Sequence, residues 1–159
     1  MQALGRSRGG WGTKLHLVVD GHGTPLAATI TAGEAHESRL AAATLERVNL
    51  PGGGRGRPCT RPRKLAGDKA YSYPAVRAYL RRRGIQPVIP TRSNQRPNPH
   101  FDAATYKKRN VIERCVGWLK ENRQLATRHA KLAASYLATV KLAMIQRCLR
   151  LLHPPSDRT

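Results

Sequence analysis

The sequence predicts an α/β domain, with a mixed sheet that opens as an antiparallel hairpin and continues as parallel strands, flanked by helices. Three observations predict it. Two apolar runs flank the turn-forming DGHGT at residues 20–24. Two short apolar runs, KLAGD and IQPVIP, are separated by one stretch of helical periodicity. The last third of the chain is amphipathic at helical spacing. A length of 159 residues suits one domain with a core that needs no staples.

Residues 1–12 are Gly- and Arg-rich and read as a basic lead-in loop, with the domain proper over 13–152 and a tail at 153–159. Lys14–Val19 and Pro25–Thr31 read as the hairpin strands, with Asp20 and Gly21 in the turn. Ser38–Val48 has helical spacing. The stretch LPGGGRGRPCTRPR, which holds the basic loop 51–63, cannot bury enough apolar surface to order itself and reads as a mobile basic loop, with plain solvation and DNA contact equally open. Lys64–Asp68 reads as a strand, and Ser72 as the N-cap of a helix through Arg83, with Pro74 in its first turn. Gly84 ends that helix, and Ile85–Pro90 is the next buried strand. A crossover this short implies adjacent parallel strands. One helix is expected over Tyr106–Lys120 and another over Lys131–Leu152.

Lys and Arg number 29 against 9 acids, a formal net charge of +20. A globular fold gains nothing from that imbalance, and a polyanionic partner, nucleic acid above all, explains it. A GC-rich coding bias would account for Arg outnumbering Lys 21 to 8, but not for the scarcity of acids. The three cysteines have neither zinc spacing nor a disulfide pattern. The N-terminus lacks a signal-peptide core, and Lys141, Arg147 and Arg150 interrupt the apolar C-terminal run, so no membrane association is expected. These features predict a soluble, reduced, cytoplasmic chain.

Two acids stand out. Asp68 sits at the carboxyl end of a parallel strand, where α/β folds place ligands, although it could equally cap the next helix. On a helix over 106–120, Val111, Ile112, Cys115, Trp118 and Leu119 fill an apolar arc of about 120°. Tyr106, Arg109, Glu113 and Lys120 share the opposite face. Glu113 could pair with Arg109 as an ordinary surface ion pair. Phosphodiester chemistry offers a second reading. Paired divalent ions take carboxylates from different elements, surrounding bases neutralise phosphates, and a tyrosine packs on a sugar or base.

The pattern Y-x-x-R-x-x-x-E-x-x-x-x-x-x-K, carried by Tyr106, Arg109, Glu113 and Lys120, resembles the signature of bacterial insertion-sequence transposases of the DDE type, within the insertion-sequence-five-like group. The blocks LAGDKAYSYPAVRAYLRRRGIQPVIP and GRSRGGWGTKLHLVVDGHGTPLAATITAGEAHES are also similar to that family's wording, and the likeness runs from about Leu4 to Leu151. The resemblance implies a ribonuclease-H-like fold and DNA transposition by transesterification with Mg²⁺ or Mn²⁺. It implies that Asp68 and Glu113 are the second and third catalytic acids and metal ligands, and that Tyr106, Arg109, Lys120 and, on weaker grounds, Lys69 contact DNA.

The family's first catalytic Asp precedes the GRSRGG block, so it is expected on a segment upstream of this one. Asp20 matches a hairpin turn instead. The chain therefore reads as the carboxyl-terminal part of a catalytic domain, lacking one metal ligand and inactive in isolation. Other readings are a non-catalytic basic DNA-binding remnant or modulator of transposition, and a different metal nuclease on the same fold. The expected partners are transposon-end and target DNA and either a second copy or the upstream segment, at the nucleoid in the cytoplasm.

Overall fold

The computed structural model describes residues 2–7, 10–36, 40–52 and 56–153. The elements in chain order are β1 (Gly5–Ser7), β2 (Gly10–Val19), β3 (Pro25–Ala32), α1 (Ala41–Leu45), β4 (Lys64–Ala66), α2 (Pro74–Arg82), β5 (Gln86–Val88), α3 (Ala103–Lys107), α4 (Asn110–Glu121), α5 (Arg123–Ala126) and α6 (Ala133–Leu152). They fall into two compact units, residues 1–35 with 111–159, and residues 36–110.

In the first unit the expected hairpin forms, β2 pairing antiparallel with β3. Its turn is held by Asp20, whose Oδ1 accepts the N–H of His22 and of Thr24, each at 2.8 Å. Partial burial pushes the Asp20 carboxyl up, but the donors from Thr24 and His22 outweigh it and hold the group below its ordinary value. The lead-in is not a loop. β1 pairs antiparallel with β2, placing Arg6 opposite Trp11. The glycines that suggested irregular chain allow close backbone approach instead. A Cβ at Gly33 would lie 2.9 Å from the carbonyl oxygen of Gly5, and the Gly33 N–H donates to Gly12. Arg128 fastens the base of this hairpin by donating to the carbonyls of Gln2 and Ala3 and to the Thr13 hydroxyl.

The first unit's core joins Ala28 of β3, Cys115 and Leu119 of α4, Leu125 of α5, and Tyr136, Val140 and Ala143 of α6. The apolar arc read from the sequence supplies this packing, with Trp118 half-buried beside it under the guanidiniums of Arg147 and Arg150. The outer side of α6 carries Leu142, Ile145, Leu149 and Leu152, all exposed. No helix among the described residues is long and apolar enough to cross a membrane.

In the second unit β4 and β5 pair in parallel with Leu65 opposite Pro87, as the short crossover requires. Val76 and Leu80 of α2 are buried, as are Ile85, Val88 and Ile89, while α1 contributes Leu45. Among the described residues the parallel pair and the antiparallel strands are separate sheets. Pro87, which has no N–H, is tolerated because β5 is an edge strand.

Three local expectations change. The helix expected from Ser38 is α1, one turn long, and Ser38 itself lies outside the described residues. Ser72 does not cap α2, which begins at Pro74 after Tyr73. The single helix over 106–120 is broken at Lys108 and Arg109. Their N–H groups donate three residues back, to Thr105 and Tyr106, so the turn tightens. Three successive cations at 107–109 followed by Asn110 favour that break.

Replacing Leu119, 1% exposed, with Ala costs about 2–5 kcal/mol in denaturant unfolding, whereas Leu142→Ala, at 66% exposure, changes stability by about 0.5 kcal/mol or less. Because the folded-state value of Asp20 lies below the unfolded one, its stabilisation is complete above about pH 4 and lost as pH falls through the folded value. Asp20→Asn should therefore melt at a lower temperature than the parent at neutral pH, with the gap narrowing below about pH 4.

Candidate active site

Asp68 lies just beyond β4. The Gly67 N–H still donates to the Val88 carbonyl at 3.2 Å, so the ladder runs up to Asp68 before the chain turns away. A Cβ at Gly67 would touch Ile89 at 3.4 Å, so the strand end sits tightly on β5's continuation. Asp68 is extended, with φ −69° and ψ 163°, and heads a 3₁₀ turn at Lys69–Tyr71. Its side chain makes no capping hydrogen bond and is exposed to solvent. Lys69 beside it is exposed as well.

The turn that follows Asp68 is locked from the 92–95 loop. The Arg92 guanidinium donates to the carbonyls of Lys69 and Ala70 and lies 4.4 Å from the Tyr73 ring centroid. Gln95 Oε1 accepts from the Ser72 hydroxyl at 2.6 Å and from the Arg92 N–H, while its Nε2 donates to the Ser72 carbonyl. Arg77 completes the lock, donating to Ser72 Oγ and to the carbonyls of Ile89 and Pro90. Ser72 is only 1% exposed, so its role is to join these groups, not to start α2. Partial burial and the nearby Arg81 charge both push the Arg77 guanidinium down from its ordinary value.

Tyr106 and Arg109 share this second unit. Tyr106 packs against Phe101 with ring centroids 5.3 Å apart, and Arg109 lies 5.6 Å over the Tyr106 ring. An ion pair between Lys64 and Asp102, 2.7 Å long, ties the start of α3 to the start of β4. Asp102 also caps α3 through the Thr105 N–H, and its carboxyl is held well below the usual carboxylate range, first by the Lys64 hydrogen bond and then by Thr105. Glu113 and Lys120 belong to the first unit. Both are exposed on α4, Glu113 in its first turn and Lys120 in its last, which suits the helix dipole. The spacing of seven keeps them on one face of α4, but the break at 108–109 removes Tyr106 and Arg109 from that helix. Among the described residues no three His, Cys, Asp or Glu side chains gather closely enough to hold a metal ion.

The sequence singles out Asp68, Lys69, Tyr106, Arg109, Glu113 and Lys120 as candidates, and gives no signal for Arg92, Gln95 and Arg77, which fix the turn after Asp68. Residues 91–100 read as polar loop, because contacts some 20 residues apart leave no periodic signal. The cysteines are free, Cys59 exposed and Cys115 buried, with burial pushing the Cys115 thiol up.

Residues 5–146 match the family model described as "Transposase DDE domain". The chain is 34% identical over 137 residues to a Burkholderia cepacia protein described as a transposase for insertion sequence element IS402, covering 86% of this chain and 63% of that protein. It is 32% identical over 142 residues to a Brucella ovis protein described as a transposase for insertion sequence element IS6501, covering 87% of this chain and 98% of that one. The chain thus spans less than two thirds of the Burkholderia relative's length. No solved structure matches it significantly.

Gln95→Ala strands the Ser72 hydroxyl and the Arg92 N–H, and should cost about 1–3 kcal/mol in urea unfolding. Amide exchange over residues 69–73 should quicken beyond that global loss.

Proposed function

The chain belongs to the transposase DDE domain family, and from that premise we propose that it is a catalytic segment for DNA transposition by metal-dependent strand cleavage and transfer. The observation that carries the reading is Asp68, an exposed carboxylate with no capping bond, at the carboxyl end of a parallel strand whose following turn is clamped by Arg92 and Gln95. The first strands, the parallel pair and the helices are read as parts of a ribonuclease-H-like fold.

Asp68 and Glu113 are exposed carboxylates, the hard oxygen donors that Mg²⁺ and Mn²⁺ take, and both would serve as ligands. When bound, such ions activate a water or terminal hydroxyl and stabilise charge on the scissile phosphate. The clamped turn holds Asp68 in one backbone position, so little reorganisation is needed when a ligand arrives. Arg109 and Lys120 would neutralise phosphates, Lys69 would add a further contact beside Asp68, and Tyr106, held beside Phe101 and Arg109, would pack on a sugar or base. Two carboxylates are fewer than the three acids of the family, so a third ligand is assigned to an upstream segment, and handling two transposon ends calls for a second copy. The membership in the Tyr-Arg-Glu-Lys, insertion-sequence-five-like group rests on the residue pattern itself.

A second reading, a basic DNA-binding modulator without catalysis, is favoured by the net charge of +20 alone. The two are separated by joining the chain to its upstream reading frame and assaying cleavage of transposon ends. The fused protein should cleave with Mg²⁺, and Glu113→Gln should lower the rate by roughly 10²–10³ while leaving DNA binding intact. Undiminished cleavage by that variant would remove Glu113 from the site. Residues 1–159 alone should bind DNA with steep salt dependence and without nicking.

A further inference from the structure

Trp11 is 71% exposed, while Trp118 is half-buried beneath two guanidiniums. In a chain with 5% aromatic residues, leaving so large a ring in water on a regular strand calls for an explanation. The hairpin that carries it is firmly built. Gly33 donates to Gly12, and a Cβ at Gly33 would collide with the Gly5 carbonyl. Thr13 donates to the Ala3 carbonyl at 2.6 Å, and Arg128 clasps Gln2 and Ala3. The base of β1–β2 is thus anchored from several sides while its outer part presents the ring.

The surroundings of the ring say what it would take. Arg6, also exposed, is its cross-strand partner, so the two side chains stand on one face of the sheet about 5 Å apart at Cβ. Gly10 and Gly12 flank Trp11, and a Cβ at either would meet nothing within 4 Å, while the Glu34 carboxylate occupies the place a Cβ would take at Gly5, the cross-strand partner of Gly12. A flat, accessible indole beside a guanidinium, in a chain of charge +20, matches a flat base attached to a phosphate. Bases inside a duplex are already stacked and cannot lie on the ring. An unpaired nucleotide can.

We propose that Trp11 and Arg6 form a binding subsite for an unpaired DNA nucleotide, the base stacking on Trp11 and its phosphate meeting Arg6. This rests on the DNA-acting reading above but not on Asp68 or Glu113. The anchored hairpin keeps the indole in place before binding, which lowers the ordering cost of the stack.

The test compares binding of residues 1–159, parent and variants, to a single-stranded oligonucleotide and to a blunt duplex of the same sequence, at fixed salt. Trp11→Ala should weaken single-strand binding roughly 5- to 100-fold and leave duplex binding within about twofold, whereas Trp11→Phe should recover most of the loss. Arg6→Ala should shallow the single-strand salt slope by about 0.7. Indole fluorescence of the parent should be quenched by the single strand, and that of Trp11→Phe much less. Equal losses on both DNA forms, no loss in Trp11→Ala, or no recovery in Trp11→Phe would overturn the subsite. If the parent bound neither DNA form, the broader DNA-acting reading would fail as well. Because Trp11 is exposed, unchanged thermal unfolding of the variants keeps folding out of the comparison.

Discussion

The constraint that shapes this protein is the shortage of acids. Twenty-nine bases cannot be neutralised by nine carboxylates, so several arginines that help build the fold lie against neutral groups. Arg77, Arg92 and Arg128 end on backbone carbonyls, as does Arg61 on Arg83. Others stack on rings, Arg83 on Tyr79, Arg109 on Tyr106, and Arg147 and Arg150 on Trp118. The planar guanidinium fork suits both uses, bridging two carbonyls or lying flat on an aromatic face, where a lysine ammonium would do neither as well. A base satisfied in this way keeps its charge, so the folded protein retains the positive field that a polyanion requires.

The same device organises each unit. In the first, Arg128 gathers the chain on either side of the N-terminal hairpin and also lies over Tyr136 of the core helix. In the second, Arg92 and Arg77 work with Gln95 and Ser72 to close the turn after Asp68. Here polar burial is expensive unless every group is paired, and the network pairs the Ser72 hydroxyl, the Gln95 amide and the carbonyls of Lys69, Ala70 and Ser72. The acid at its head makes no capping hydrogen bond and stays exposed, as does Lys69 beside it.

The hairpin around Asp20, the parallel pair around Ala66 and Val88, and the core stripe of Cys115 and Leu119 follow from local alternation, turn chemistry and helical periodicity, which act over a few residues. The N-terminal lead-in was misjudged because glycine content was taken for irregularity, while Gly12 and Gly33 serve close approach of strands. The helix expected over 106–120 divides at Lys108 and Arg109, whose N–H groups donate three residues back in a tightened turn that no glycine or proline marks in the sequence. Ser72 looked like a cap because a hydroxyl two residues before a proline usually is one, yet a distant glutamine claims it.

The sequence by itself therefore determined the mixed α/β character and the basic charge, because each is written in composition or in short-range spacing, and its motif blocks carried the resemblance to the family. The tertiary structure alone decided what holds Asp68 in place and which aromatic ring is left in water. Both depend on contacts between residues ten or more positions apart, Gln95 with Ser72 and Arg128 with Ala3, where no local energy term selects the partner and only closure of the whole chain brings the groups together.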